Sequence, residues 1–288
     1  KKNLTECVLC PRGCKTDRSM GHVGFCKAPL KTSVAFYKRH SGEEPPISGK
    51  RGSGVIFFTH CTANCVFCQN FYFSQRKTGF IITEEELARV MLRIKKWGCH
   101  NINLVTPTQY LPQIISALKI AIKGGLDIPL VFNSGGYESL ATLKLLDGII
   151  DIYLPDMKYS DDSVAKKLSN FENYVKFNRE AIIEMYKQVG TLKLDGRGIA
   201  KSGLIIRHLI LPDDMAGTEE ILKFISGGGS KNVHISLMDQ YQPDYKASKF
   251  SRINKSISKR EYSKAIGLFN EYGLQNGWIQ EHLTDNDK

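Results

Sequence analysis

Long apolar runs are missing from this chain: Lys or Arg interrupts every candidate before the ~18 residues a membrane span requires. The opening residues, Lys1-Lys2-Asn3-Leu4-Thr5-Glu6-Cys7, lack an apolar core followed by a small-residue cleavage site. No signal peptide is therefore expected, and the expected location is the cytoplasm. No Gly-x-Gly-x-x-Gly follows the first strand-like run, which argues against a dinucleotide-binding unit of the Rossmann type. Internal repeats are also missing. Eight cysteines in 288 residues are too sparse for a disulfide-built secreted scaffold. With 42% hydrophobic and 24% charged residues, the composition excludes wholesale disorder, a collagen-like repeat and a coiled coil, and fits an ordinary globular protein.

Acidic residues are outnumbered, 29 against 40 Lys and Arg, giving a net charge of +11 and a pI near 9.2. Such a balance suits an anionic partner: RNA, an acidic protein face or an anionic cofactor. The positive residues are scattered, and the densest cluster holds only Lys255, Lys259, Arg260 and Lys264. A lysine-rich solvated surface explains that pattern without a nucleic-acid patch. Nucleic acid stays open as a partner.

What the sequence does have is clustered cysteine. Seven of the eight fall into two groups: Cys7, Cys10, Cys14 and Cys26, then Cys61, Cys65 and Cys68. In a reducing compartment such clusters point to metal rather than to disulfides. Cys99 stands alone beside Trp97 and Gly98 and reads as a buried small hydrophobe.

From Ser53 onward, apolar strand-like runs alternate with helix-like stretches. The strand candidates are Val55–Thr59, Asn101–Thr106, Ile128–Asn133, Ile149–Pro155, Gly203–Leu211 and Asn232–Met238. Near-continuous apolar runs are typical of parallel strands covered on both faces. Helical patterns lie between them at Thr83–Trp97, Gln109–Lys123, Tyr137–Leu146, a long region Ser160–Gly190, and Thr218–Ile225. Thr83 followed by Glu86 predicts an N-cap with a capping box. The expected fold is α/β: six β/α units in a curved, partial (β/α)6 barrel spanning residues 51–245. Residues 1–50 form a small cysteine-rich metal-binding lobe, with one short apolar run at Val34–Tyr37 and a linker from Glu43-Glu44-Pro45-Pro46 to Gly54. Residues 246–288 form a C-terminal extension whose helix at 259–275 packs outside the barrel, followed by a frayed polar tail at Thr284–Lys288.

Cys61-Thr62-Ala63-Asn64-Cys65-Val66-Phe67-Cys68 directly follows the first barrel strand. Three thiolates in one short loop can wrap an iron–sulfur cluster and leave one iron open for chemistry. A zinc knuckle fits less well, because no fourth Cys is near and His60 adjoins Cys61 too closely to share one ion. In the first group, Cys7-x2-Cys10-x3-Cys14-x11-Cys26, four thiolates can complete either a zinc tetrahedron or a closed [4Fe-4S] cluster. His22 is an alternative ligand there, and Arg12, Arg18 and Lys27 would offset thiolate charge.

The spacing Cys-x3-Cys-x2-Cys, with Phe67 before the third cysteine, resembles the radical S-adenosylmethionine superfamily. The segment from Gly54 through Cys68-Gln69-Asn70 resembles the pyruvate formate-lyase activating enzyme group, and the similarity covers most of residues 51–245. The resemblance implies a [4Fe-4S] cluster on Cys61, Cys65 and Cys68 whose open iron binds S-adenosylmethionine. Reductive cleavage then gives methionine and a 5′-deoxyadenosyl radical that takes hydrogen from the substrate. The substrate it implies is a protein or peptide, with flavodoxin or ferredoxin as reductant. A small molecule or an RNA base is the rival substrate, and a non-catalytic iron–sulfur or zinc module is the rival class.

Further residues join this reading. Leu154, Asp156 and Lys158 share a face by period 2, and the activases carry a similar Asp-x-Lys touching cofactor or substrate. A rim salt bridge is the simpler alternative. Asn133 before Ser134-Gly135-Gly136 resembles the family's Asn-Gly turn near the cofactor, and equally reads as a plain turn. Arg207 lies in an apolar strand, where a cation needs a partner, and the resemblance places it at the S-adenosylmethionine carboxylate. His208 must point the other way, as a packing residue. Gln240, after the sixth strand, is a further cofactor candidate. The activases' Gly-Gly-Glu-Pro is replaced here by Leu104-Val105-Thr106-Pro107-Thr108-Gln109, where Thr106 and Thr108, on one face, would accept from the methionyl amine.

Overall fold

The computed structural model describes residues 2–228 and 232–279. Ten strands are placed: β1 (Thr32–His40), β2 (Ser53–Phe58), β3 (Phe80–Ile82), β4 (Ile102–Val105), β5 (Leu130–Ser134), β6 (Ile152–Pro155), β7 (Lys193–Leu194), β8 (Ala200–Leu209), β9 (His234–Met238) and β10 (Gly277–Ile279). They form one sheet ordered β10-β9-β8-β6-β5-β4-β2-β1-β3, with β7 paired to β8 off this path. The run from β2 through β10 is parallel, while β1, β3 and β7 pair antiparallel. The sheet has two ends and does not close, which is the partial barrel expected. Each of the six apolar runs supplies one of its parallel strands.

The helices are α1 (Lys2–Thr5), α2 (Pro45–Ser48), α3 (Phe71–Ser74), α4 (Glu84–Lys96), α5 (Leu111–Lys123), α6 (Leu140–Lys144), α7 (Asp162–Ser169), α8 (Tyr174–Val189), α9 (Thr218–Gly227) and α10 (Lys259–Glu271). Thr83 caps α4 with the expected capping box, and Arg93, Lys95 and Lys96 close its last turn, each favourable to the helix dipole. The long helical region Ser160–Gly190 is two helices rather than one. Asn170 and Asn173 both adopt left-handed backbone, at φ 54° and 50°, and break it between α7 and α8. None of the described helices is long and apolar enough to cross a membrane.

Period-2 alternation sorts the strand side chains onto two faces. Ile56, Leu104, Phe132, Tyr153, Ile206 and Ile235 join one core with Leu87, Met91 and Ile94 of α4 and Ile114 and Leu118 of α5. Val131, Ile152, Leu154 and Ile205 face the lumen, where they meet Ile47. Ile47 is completely buried. The segment expected as a linker therefore plugs the barrel, and β1, from the first fifty residues, is a strand of the barrel sheet. The short run Val34–Tyr37 grows to nine residues because β2 and β3 pair with it on both sides. On the other flank, α10 buries Tyr262 and Ala265 beside Tyr241 and Ile253. The tail Thr284–Lys288 lies outside the described residues.

Candidate active site

The loop Cys61–Cys68 leaves the C-terminal end of β2, the end where barrel enzymes build their sites. Its thiols are free, and Cys65 is buried. Backbone bonds strap the loop to the end of α7: Asn64 N–H donates to the Ser169 carbonyl at 2.9 Å and Val66 N–H to the Leu168 carbonyl at 2.8 Å. Polar hydrogens reach the sulfurs. Ser169 Oγ donates to Cys65 Sγ at 2.9 Å, Ser74 Oγ lies 3.2 Å from Cys68 Sγ, and Ala63 N–H points at Cys61 Sγ from 3.4 Å. Burial, and then the neighbouring thiols, push Cys61 well up; burial also raises Cys65, and Cys68 is pushed up to about 11. A metal that replaces these protons removes that penalty. Three sulfurs on one loop, those of Cys65 and Cys61 with a donor already in place, fit a cluster held by three thiolates. Among the described residues, no three His, Cys, Asp or Glu side chains converge on a single-ion site.

The ends of β5 and β6 face this loop. Lys158 Nζ pairs with Asp156 Oδ2 at 2.6 Å, both largely buried. Burial alone would lower Lys158, but Asp156 and the Cys65 thiol more than offset it and hold the ammonium above its usual range. Asp156 is fixed by residues the sequence reading passed over. Asn178 Nδ2 donates to the Gly136 and Asp156 carbonyls at 3.0 and 2.9 Å. Tyr174 OH donates to the Gly135 carbonyl at 3.0 Å and accepts from Lys158 N–H at 3.0 Å. Gly136, at φ 69°, allows this approach, since a Cβ there would stand 2.2 Å from Asn178 Nδ2 and from the Asp156 carbonyl oxygen. The only sequence sign of Tyr174 and Asn178 is a polar pair on the buried face of α8.

Gln109 is a third such residue. It is 1% exposed, and its Nε2 donates to the carbonyls of Thr59, His60 and Thr106 at 2.9, 3.1 and 2.8 Å. One amide thus ties the exits of β2 and β4, where His60 and Thr106 take left-handed backbone at φ 65° and 57°. Non-glycine residues adopt that conformation at a cost, and functional sites are where they collect.

The remaining candidates fall into two sets. Asn133 and Asp156 stand at the ends of β5 and β6, Asp156 and Lys158 act on the Cys65 thiol, and Gln240 is tied to the residue after the loop, because Gln69 Nε2 donates to its carbonyl at 3.0 Å. Thr106 and Thr108 do not form the expected pair on one strand face. β4 ends at Val105, Thr106 turns left-handed, and the Thr108 hydroxyl donates to buried Glu138 at 2.9 Å. Arg207 has the partner its setting demands, but that partner is protein: Nε meets Glu44 Oε1 at 2.7 Å, and Nη2 meets Glu44 Oε2 at 2.8 Å and also Glu43. Burial would raise the Glu44 carboxyl, and the Arg207 charge reverses this to hold it below its usual range. Asn103 Nδ2 donates to Glu43 at 3.0 Å, closing a polar group on the lumen side. His208 points to the helices, with Nδ1 2.7 Å from the Met157 carbonyl and Nε2 3.0 Å from Thr218 Oγ1.

The N-terminal lobe sits against this site. Arg12 Nε donates to the Thr62 carbonyl at 2.8 Å, and its guanidinium lies 3.3 Å over the Phe25 ring. Cys26, Lys27, Cys61, Lys77 and Lys246 line one cavity of about 370 Å³. His22 is exposed.

A cysteine loop on the first parallel strand, faced by polar strand ends across an open barrel, is matched by comparison with known proteins. Residues 55–225 match the radical SAM superfamily. This chain belongs to that superfamily. Membership implies an enzyme that cleaves S-adenosylmethionine at an iron–sulfur cluster, here with Cys61, Cys65 and Cys68 as the fitting thiolates. The uncharacterized protein MJ0674 of Methanocaldococcus jannaschii is 31% identical over 287 residues, covering 95% of this radical SAM chain and 77% of that protein. The crystal structure of HydG, a maturase of the [FeFe]-hydrogenase, shares the fold with a TM-score of 0.54 at 13% identity, covering 79% of this chain and 51% of that one. The HydG of Carboxydothermus hydrogenoformans gives a TM-score of 0.51 at 15% identity, covering 78% of this chain and 52% of that one. The chain thus spans about half the length of the HydG structures it matches.

Proposed function

We propose that this radical SAM protein takes a hydrogen atom from a protein or peptide segment, in the manner of the pyruvate formate-lyase activating enzymes. The observation that carries the reading is the open flank of the sheet, with β3 and β10 at its two unjoined ends. A closed barrel admits a metabolite through its mouth, whereas a sheet open along one side leaves a path for a polypeptide segment to reach the lumen. When bound, the [4Fe-4S] cluster supplies the electron that cleaves the sulfonium of S-adenosylmethionine. Cys61, Cys65 and Cys68 would hold three irons. In this reading Asn133, Asp156, Lys158 and Gln240, with the Thr106 backbone, would orient the cofactor, while Thr108 and Arg207 would act one step back through Glu138, Glu43 and Glu44. The remaining thiol group, Cys7, Cys10, Cys14 and Cys26, makes a second metal site in this reading.

Exposed Lys27, Lys77 and Lys246 rim the cavity that Cys61 lines. A basic rim beside the cluster loop suits a small acidic electron carrier of the flavodoxin or ferredoxin type. The second reading, a small polar metabolite as substrate, is favoured by the Arg207–Glu43–Glu44–Asn103 group on the lumen side.

The test is anaerobic formation of 5′-deoxyadenosine by reconstituted protein, with cell extract split by size. Stimulation by the macromolecular fraction, lost on protease treatment and absent from a Cys65→Ala variant, is the expected result. Stimulation by the small-molecule fraction alone sinks the protein-substrate reading. No product under any condition sinks the enzyme reading in favour of a binding module.

A further inference from the structure

The four N-terminal cysteines line one narrow pocket. Cys7, Cys10, Cys14 and Cys26, together with Arg12 and Arg18, surround a cavity of only about 10 Å³. Local turns bring them there: Cys7 N–H donates to the Thr16 carbonyl at 3.1 Å, Lys15 N–H to the Cys7 carbonyl at 2.9 Å, and Gly13 N–H to the Cys10 carbonyl at 3.0 Å. Gly24 completes the cradle, because a Cβ at that position would stand 2.5 Å from Cys14 Sγ.

Arg18 says what the four sulfurs hold. It is 2% exposed, and its Nη2 donates to Cys7 Sγ at 3.1 Å while Nη1 donates to the Gln109 carbonyl at 2.5 Å. Its Nε–H is buried with no partner among the described residues. A buried guanidinium needs nearby negative charge and acceptors for all its hydrogens. Protonated thiols supply no charge. A zinc ion among four thiolates supplies charge but no acceptor beyond the thiolates, and it draws them to roughly 2.3 Å from one point. An iron–sulfur cube holds its thiolates on four separate irons and presents sulfide acceptors of its own. Among the described residues no three of these sulfurs converge on one ion, and that spread and the unpartnered hydrogen of Arg18 both match the cube.

We propose that Cys7, Cys10, Cys14 and Cys26 hold a second [4Fe-4S] cluster, closed by four protein thiolates. It stands against the loop of the first. Thr62 is part of the wall of its pocket, and Cys26 and Cys61 share the neighbouring cavity. Having no open iron, the second cluster binds no S-adenosylmethionine and exchanges electrons only. This assignment does not depend on the substrate of the enzyme.

The decisive experiment uses the full chain with Cys61→Ala, Cys65→Ala and Cys68→Ala together, reconstituted anaerobically with iron and sulfide. The variant is expected to retain about four irons and about four sulfides per chain, half the native content, and to give a cluster EPR signal on reduction with dithionite. A variant that carries one tightly held zinc and no cluster overturns the proposal, and so does one that carries neither. If that variant fails to fold, Cys14→Ser in the otherwise native chain serves instead. Its iron content is expected to fall from about eight to about four per chain, and an unchanged count overturns the proposal. Iron missing from the Cys61, Cys65 and Cys68 site would appear as a native chain no richer than the triple variant, so failure of the two sites is told apart.

Discussion

Arg12 joins two parts of the molecule that sequence keeps apart: its Nε donates at 2.8 Å to the carbonyl of Thr62, the residue after Cys61. A second arm of the same guanidinium donates to the Asn170 carbonyl at 2.5 Å, at the end of α7. Hydrogen bonds from a charged group contribute roughly 1.5–3 kcal/mol where they are shielded from water. Arg12 is only part-buried, so Arg12→Gln is expected to destabilise by about 1–2 kcal/mol, read as a lower urea midpoint. Release of iron from Cys61, Cys65 and Cys68 to a chelator should quicken in parallel. Arg12→Lys should not rescue, because a lysine cannot serve two carbonyls in a fixed fork. Full rescue would show that Arg12 acts by charge alone.

The Arg207–Glu44 pair makes a pH prediction. Glu44 titrates below its unfolded value of 4.5 because Arg207 outweighs burial. A carboxyl with a depressed folded pKa contributes stability that is complete above the unfolded pKa and is lost as pH falls through the folded one. Unfolding free energy should therefore drop on acidification below about pH 4.5, and Glu44→Gln should flatten that drop. Arg207→Met alone leaves two buried carboxylates unpaired and should cost about 3–5 kcal/mol. Adding Glu43→Gln and Glu44→Gln should recover most of the loss. A triple variant no more stable than Arg207→Met would refute this pairing account.

The second of these residue pairs also shows where the sequence stopped being readable. Apolar periodicity carried six of the seven parallel strands and α4, because burial on a regular lattice leaves a local pattern, and cysteine spacing carried the loop. Glu43 and Glu44 read as a linker because the charge that explains them, Arg207, is more than 160 residues away. Gln109, Tyr174 and Asn178 left at most a faint signal for a related reason: their partners are backbone carbonyls, which every residue carries. Thr106 and Thr108 misled because strand periodicity was continued one turn past Val105, where the chain is already left-handed.

Ser169 offers a test of the cluster environment. Its hydroxyl donates to Cys65 Sγ at 2.9 Å and is itself held 2.6 Å from Tyr159 OH, in a fully buried spot. Hydrogen bonds to cysteine sulfur stabilise the reduced, more negative cluster. Ser169→Ala should therefore shift the reduction potential of the cluster on Cys61, Cys65 and Cys68 to more negative values and slow 5′-deoxyadenosine formation with a weak reductant. A strong reductant should restore the rate. An unmoved potential would mean that the bond is not kept in the loaded protein.

Glu138 gives the opposite pH sign from Glu44. Its carboxyl is 2% exposed, Oε1 accepts from Thr108, Oε2 has no partner among the described residues, and burial pushes it up to about 8. The folded state therefore keeps a proton that the unfolded chain releases near 4.5. A raised carboxyl pKa gives stability that is present below the unfolded pKa and lost as pH rises toward the folded one, at most about 1.4 kcal/mol per pH unit. Glu138→Gln mimics the protonated form and escapes that loss. The variant should match the native chain near pH 4.5 and exceed it in urea midpoint at pH 8. A variant less stable than the native chain at pH 8 would refute the account of Glu138 as a buried, protonated carboxyl.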